Sequence, residues 1–453
     1  MNFELTRTNR GKIAIRHNGA IFRERKRNKN SIRWTCSSQK SCCAFLSTNL
    51  QMDTIIDSSP DHNHETSDQV ADVHVFRQRC KRKAAEEIST RPMKIMVSEA
   101  TSVVDSAVTF SDFQNVRRCM YHERRKTLPA NPKSLQETLT AIERLDGRYA
   151  HIIQQVDTDN NIVFFATNES LQLLKKTQQI FADGTFKSAP KYFSQLYIIH
   201  ALHEEQYVAC VFFLLRQKLQ TTYEAMLDIL KNSVELECLK TIHLDFEKAA
   251  INAFQSHFPD CQVRTCNFHL GQSWHRKIQE CGLSKEYRDT KDEIGAALRA
   301  CFGLPFLPPS QVSEAFADLY GSLQADVRVE RFFDYILTTY IENASEPATF
   351  PPHLWAGLKA FQRRTTNGCE AFHRHLNSYF VKKDPSIFYF MEVLSEFTIQ
   401  IKLKLKSSSA PRRSLNRKKE CKLQDAIDAF NNSELTRLGF LHYIKGCAQP
   451  PFI

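Results

Sequence analysis

Asp183 sits between the apolar run Ile180, Phe181, Ala182 and Gly184 in "TQQIFADGTFKSAP". A second carboxylate, Asp245, belongs to the alternating stretch "KTIHLDFE", where Ile242, Leu244 and Phe246 point one way and His243, Asp245 and Glu247 the other. Two carboxylates at one sheet edge repel each other unless a cation stands between them. Joined by a third acid, such a pair suits two magnesium ions about 4 Å apart, the arrangement for in-line attack at a phosphodiester. Two residues compete for the third place. Glu247 shares the strand face of Asp245, while Glu370 lies on the helical stretch "TTNGCEAFHRHLN", grouped with Thr366, Arg374 and Asn377 away from an apolar stripe of Phe372, Leu376 and Tyr379. Gly184 is expected to let the chain turn away after Asp183 without crowding an ion.

A different chemistry is written near the N-terminus. "WTCSSQKSCCAFLS" and "PDHNHE" supply Cys36, Cys42 or Cys43, His62 and His64. Two thiolates and two imidazoles suit tetrahedral zinc, and a one-residue gap puts both histidines on the same side of an extended segment.

The elements that must hold these groups follow from periodicity. "HIIQQVDTDNNIVFFAT" reads as a hairpin about an Asp/Asn turn. "TQQIFADGTF", "YFSQLYIIHALH" and "YVACVFFLLRQ" then read as three antiparallel strands, with Asp183 ending the first. A helix over "TTYEAMLDILKNSVE", the strand of Asp245, a helix over "AAINAFQSHF" stopped by Pro259, a strand "QVRTCNFH" and a helix "LGQSWHRKIQECGL" complete the order βββαβαβα. This predicts a mixed α/β sheet in which the strands of Asp183 and Asp245 are neighbours. Residues 285–364 read as mostly helical, and the stretch bearing Glu370 as a final helix.

At 453 residues the chain has room for two or three domains. Its 42% hydrophobic and 25% charged content describes a soluble protein, and the formal charge of +11 favours a polyanionic partner. Basic runs at 23–30, 77–83, 117–126 and 402–422 flank a less basic middle and point to a nucleic-acid surface or to nuclear import, so the expected location is the nucleus. Fourteen scattered cysteines and an N-terminus without an apolar signal predict reduced thiols inside a cell, and the longest apolar run, "YVACVFFLL", is too short for a membrane span.

The stretch "NGAIFRERKRNKNSIRWTCSSQKSCCAFLSTN … DHNHE" resembles a FLYWCH-type zinc finger through Gly19, Phe22, Trp34, Cys36, Cys42, Ala44, His62 and His64. The resemblance implies zinc on Cys36, Cys42, His62 and His64, choosing Cys42 over Cys43. Phe22 stands in place of the family's usual tyrosine and Phe45 in place of its usual arginine. "FADGTFKSAP", "IHLDFEKAAINAFQSHFPDCQVRTCNFHLGQSWHRKI" and "TTNGCEAFHRHL" resemble the transposase domain of Mutator-like elements, of the retroviral-integrase group with the RNase H fold. That resemblance implies a catalytic, magnesium- or manganese-binding triad of Asp183, Asp245 and Glu370. It also places the family's Cys-x-x-His on Cys266 and His269, expected to brace the site.

The expected division is a finger at 1–66, a basic, partly helical connector at 67–149 and an RNase H-like core from 150 to 284. A helical insertion at 285–364, closing helices at 365–410 and a basic tail at 411–453 follow. The implied function is DNA transposition, with DNA as partner, oligomeric action by analogy and no membrane. The Cys-x-Cys and Cys-x-His segment that relatives often carry next is replaced beyond 410 by isolated Cys421 and Cys447. This favours a second reading, a domesticated and inactive DNA-binding or protein-interaction factor that uses the finger.

Overall fold

The computed structural model describes residues 3–59, 61–101, 108–145, 147, 149–204, 206–342, 347–361, 367–380, 382–406 and 414–448. The N-terminal region begins with six strands, β1 (Glu4–Arg7), β2 (Ile13–His17), β3 (Ala20–Arg27), β4 (Ile32–Cys36), β5 (Phe45–Thr48) and β6 (Ile55–Ser59). They pair in chain order, every pair antiparallel. Asn18 and Gly19, both at positive φ, make the two-residue turn between His17 and Ala20, the geometry that matches strand twist. A side chain at Gly19 would meet the Asp68 backbone nitrogen at 3.2 Å, so the turn needs glycine for space as well as for φ.

Alternation gives this sheet two different faces. One buries Ile15, Phe22, Ile32, Trp34, Cys36, Ala44 and Leu46 in a single cluster, inside which Trp34 Nε1 donates to Thr48 Oγ1 at 2.9 Å. The other presses Ala14 and Ile21 on Ala71 and Val75 of α1 (Asp68–Glu86), a helix whose N-cap Ser67 accepts from Val70 N.

With α2 (Pro92–Thr101) and α3 (Phe110–Thr127), α1 forms a three-helix unit whose core is Phe76, Cys80, Ala84, Ile95, Met96, Val116 and Met120. Arg124 of α3 is buried and donates to the carbonyls of Ala84, Glu87 and Thr90, tying α3 to the end of α1. The stretch 67–149, expected as a connector, thus contains a packed module with its own core.

The C-terminal region starts with α4 (Leu135–Glu143) and is organised about a second sheet. Its strands are β7 (Ile153–Asp157), β8 (Ile162–Ala166), β9 (Gln179–Thr185), β10 (Gln195–His203), β11 (Gln206–Leu215), β12 (Thr241–Leu244) and β13 (Gln262–Thr265). Their spatial order is β13-β12-β9-β10-β11-β8-β7. β12 runs parallel to both β9 and β13, whereas β7 to β11 pair antiparallel. β8 and most of β9 to β11 are buried residue after residue, which explains why those stretches read as continuous apolar runs.

Helices α5 (Asn168–Lys176), α6 (Gln220–Ser233), α7 (Lys248–His257) and α8 (Asn267–Glu280) connect or follow the strands. Then come α9 (Ser284–Arg288), α10 (Glu293–Cys301), α11 (Val312–Gly321), α12 (Val327–Ile336), α13 (Asn367–Asn377), α14 (Ile387–Leu405), α15 (Ser414–Asn431) and α16 (Arg437–Ala448). The helix of Glu370, α13, is therefore not the last. Within the segment read as a basic tail, α15 and α16 pack together, and α16 packs on α10 and α11, with Arg437 paired to Glu314 and Asp318. Burial of Phe440, Leu441 and Ile444 explains the difference: their apolar face is covered in the fold.

Candidate metal centres

The first centre is built on β4, the loop after it and the segment following β6. Cys36 is the last residue of β4, and its Sγ lies 3.3 Å from His64 Nε2. Cys42 Sγ lies 3.4 Å from His62 Nδ1, and the two ring nitrogens are 3.3 Å apart. All four ligand atoms fall within 4.8 Å of one another. Cys43 is exposed and points to the Ser41 carbonyl, so Cys42 is the thiol that joins the group. Ser38 N donates to Cys36 Sγ at 3.4 Å, and His64 Nδ1 pairs with the Glu65 carbonyl at 2.9 Å, which leaves Nε2 as the free donor. Phe22 packs its ring on His62, occupying the place of the expected tyrosine. Two thiols and two imidazoles so placed have the donor set and the tetrahedral reach of a structural zinc site.

The second centre gathers at one end of β9 and β12. Their parallel register pairs Thr241 with Gln179, Ile242 with Ile180 and His243 with Phe181. Continued by two residues, it brings Asp245 level with Asp183. Asp183 is 6% exposed, and burial together with the Asp245 charge pushes its carboxyl up to about 7. Burial raises Asp245 as well, opposed by the nearby His269. Asp245 Oδ1 is buried without a hydrogen-bond partner among the described residues.

Cys266 and His269 enter through the β13–α8 junction. Cys266 N donates to Leu244 O at 2.7 Å, and His269 in the first turn of α8 places Nε2 3.1 Å from Glu370 Oε1. Burial alone would lower the imidazolium, but hydrogen bonds to Cys266 and Glu370 and the Asp183 charge raise it to about 11. His269 thus pairs with Glu370, and its charge also acts on Asp183 and Asp245.

Two contacts seat α13. Asn377 Nδ2 donates to Thr185 Oγ1 at 3.0 Å, and a side chain at Gly368 would come within 2.1 Å of the Tyr207 ring, so the helix backbone lies directly on that tyrosine. The buried face of α13 is Cys369, His373 and Leu376, with Phe372 only partly covered. His373 was missed as a site residue in the sequence, yet its Nδ1 lies 3.5 Å from Asp183 Oδ2. Its position three residues after Glu370 is the signal that could have found it. Thr366, expected on the Glu370 face, lies outside the described residues, as does the 407–413 part of the fourth basic run.

Three expectations need correction. Asp183 does not end its strand, because β9 continues through Gly184 to Thr185. Gly184 makes no turn; a side chain there would meet Gln195 Oε1 at 2.4 Å, so the residue is small to admit Gln195. The alternation of "KTIHLDFE" stops at Leu244, after which Phe246 packs on Tyr340 and Phe350 and Glu247 becomes the N-cap residue of α7. There Glu247 accepts from Tyr223 Oη at 2.7 Å and pairs with Lys218, which engages it away from the Asp183 pair.

The donor sets of the two centres differ as their surroundings do. Two family models match the chain. Residues 5–64 match the FLYWCH zinc finger domain and residues 179–273 the MULE transposase domain. The FLYWCH span holds all four zinc-type ligands. The MULE span holds Asp183, Asp245, Cys266 and His269, while Glu370 lies beyond it. No curated protein matches the chain. Both matched domains agree with a transposase-derived, DNA-binding protein, and no described helix is long and apolar enough to cross a membrane.

Proposed function

We propose that the chain is a DNA-binding MULE-type transposase, or a nuclease descended from one, acting in the nucleus on an RNase H-like core. Asp183, Asp245 and Glu370 are its catalytic carboxylates. The observation that carries this reading is the parallel pairing of β12 with β9, which puts Asp245, directly after β12, at the end of the sheet where β9 carries Asp183, with Glu370 of α13 against His269. The donors suit a hard divalent cation: they are carboxylate oxygens, Asp183 is buried, and Asp245 Oδ1 is a buried atom without a partner among the described residues. Mg2+ or Mn2+ bound there supplies the Lewis acid that activates a water or a DNA 3′ hydroxyl and takes up charge on the leaving oxygen. Asp183 and Asp245 fix the position of attack, and His269 orients Glu370 through their 3.1 Å contact. The zinc-stabilised finger binds DNA through the phosphates of the duplex.

The test is magnesium-dependent nicking of duplex DNA bearing the terminal inverted repeats of the source element, with Asp183→Asn as control. Nicking by the native chain and none by the variant is the expected result. Equal signals from both, or none from either, sink the enzyme reading. The second reading, a domesticated binding factor with an inert core, is favoured by one observation. His269 Nε2 already stands 3.1 Å from Glu370 Oε1, where a cation would otherwise sit. Tight DNA binding without nicking is its signature.

A further inference from the structure

We infer that the three-helix unit between the finger and the transposase domain is a second DNA-binding module, which lays the exposed face of α3 in the major groove of duplex DNA. The inference rests on the DNA-binding reading but assigns it to a region that neither family model covers.

The argument starts from the helix period. Gln114, Asn115, Arg118, Tyr121, His122 and Arg125 are all exposed and fall on one continuous side of α3, opposite the buried Val116, Met120 and Arg124. Arg117 and Lys126 flank this side. The two acidic residues of the helix are drawn off it: Asp112 accepts from Thr109 N at 3.0 Å at the N-cap, and Glu123 pairs with Lys81 and Lys126. Among the described residues Arg117, Arg118 and Arg125 have no ion-pair partner. The charged residues on this face, Arg118 and Arg125, and Arg117 beside it are therefore all positive, which suits a polyanion.

Its chemistry is that of a duplex reader. Arginines meet phosphates or guanine edges, and glutamine and asparagine side chains match the adenine edge in the major groove, which is wide enough to admit a helix. Tyr121, 37% exposed, adds an aromatic ring with a hydroxyl for a phosphate or base edge. The platform is rigid, because the helical core and the Arg124 contacts to three carbonyls fix α3 against α1. Single-stranded RNA or an acidic protein surface would also meet the positive charge, and the test separates them.

The full chain, zinc-loaded, is titrated into a fluorescein-labelled 30-base-pair duplex of mixed sequence over a range of KCl. Arg118→Ala/Arg125→Ala is expected to weaken binding at least about tenfold and to reduce the slope of log K against log[KCl] by about two. Gln114→Ala/Asn115→Ala should leave that slope unchanged and weaken binding only to a preferred sequence selected from the pool. Methyl green, which occupies the major groove, should displace the native chain, whereas netropsin, in the minor groove, should not. All four side chains are exposed, so unchanged melting and zinc content exclude misfolding as the cause. A native chain that binds no duplex overturns the DNA-binding reading itself. Binding that is strong but unchanged in Arg118→Ala/Arg125→Ala, or displaced by netropsin alone, overturns only the assignment to α3. Preference for single-stranded RNA or for a polyglutamate competitor over the duplex overturns it too.

Discussion

The zinc-type group and the acidic group are both sets of potential metal ligands, yet they are held differently. Cys36, Cys42, His62 and His64 converge within 4.8 Å, with Cys36 Sγ accepting from Ser38 N and His64 Nδ1 paired with the Glu65 carbonyl. Asp183, Asp245 and Glu370 come from three separate stretches of chain, with His269 against Glu370 and His373 against Asp183. A convergent set builds a fold around one ion. The two groups thus differ in donor type, thiolate and imidazole in one and carboxylate in the other.

The comparison is broken most severely at the zinc-type group. Chelation, or Cys36→Ser, should remove stabilisation on the order of 10 kcal/mol from the N-terminal sheet. Hydrogen exchange would then show loss of protection over β3 to β5 with β9 to β12 still protected. Retained protection over β3 to β5 would mean that the Trp34 cluster holds the sheet alone.

At the acidic group the expected sign is opposite. Asp183 has its carboxyl raised from the usual range to about 7, so its contribution to stability is full below about 4 and is lost as pH rises through 7. Asp183→Asn should therefore stabilise the metal-free chain by on the order of 3 kcal/mol at pH 8 and by little at pH 4. Denaturant melts at the two pH values check this. A destabilised variant at pH 8 would show the carboxylate to be held by favourable contacts.

Gly184→Ala sharpens the boundary of the acidic group. Its added methyl must displace Gln195, whose Nε2 donates to Tyr223 Oη at 2.7 Å, which in turn donates to Glu247. A loss of about 1–3 kcal/mol is expected, read as a lower melting temperature of the C-terminal region with the zinc content untouched. The smallest effect belongs to Cys43→Ala. Its exposed thiol lies outside the ligand set, so zinc stoichiometry should stay the same and stability should change by less than about 0.5 kcal/mol.

Much of this was legible because it is periodic. Apolar runs and alternation made the strand of Asp183 and the strand just before Asp245 legible as neighbours, and the order of strands and helices followed from the same signal. What was not legible depends on contacts between distant segments. Gly184 is explained by Gln195 on the next strand, and Gly368 by Tyr207 on β11; neither appears in a local window. Apolar spacing put Phe372 at the centre of the buried side of α13, but packing rotates the helix so that the polar His373 faces Asp183. The module of α1 to α3 was hidden because its core is small and mixed with charged residues such as Arg124. Glu247 competed with Glu370 on spacing until Tyr223 and Lys218 were seen to engage it.

The placement of α13 has a consequence for the order in which a newly made chain gains its parts. The zinc-type ligands all lie between 36 and 64, so that centre can close while most of the chain is still being synthesised. The acidic group waits for Glu370 and for the helix that lies on Tyr207, long after Asp183 has left the ribosome. A nascent or truncated product therefore passes through a stage with a folded finger and an incomplete carboxylate set.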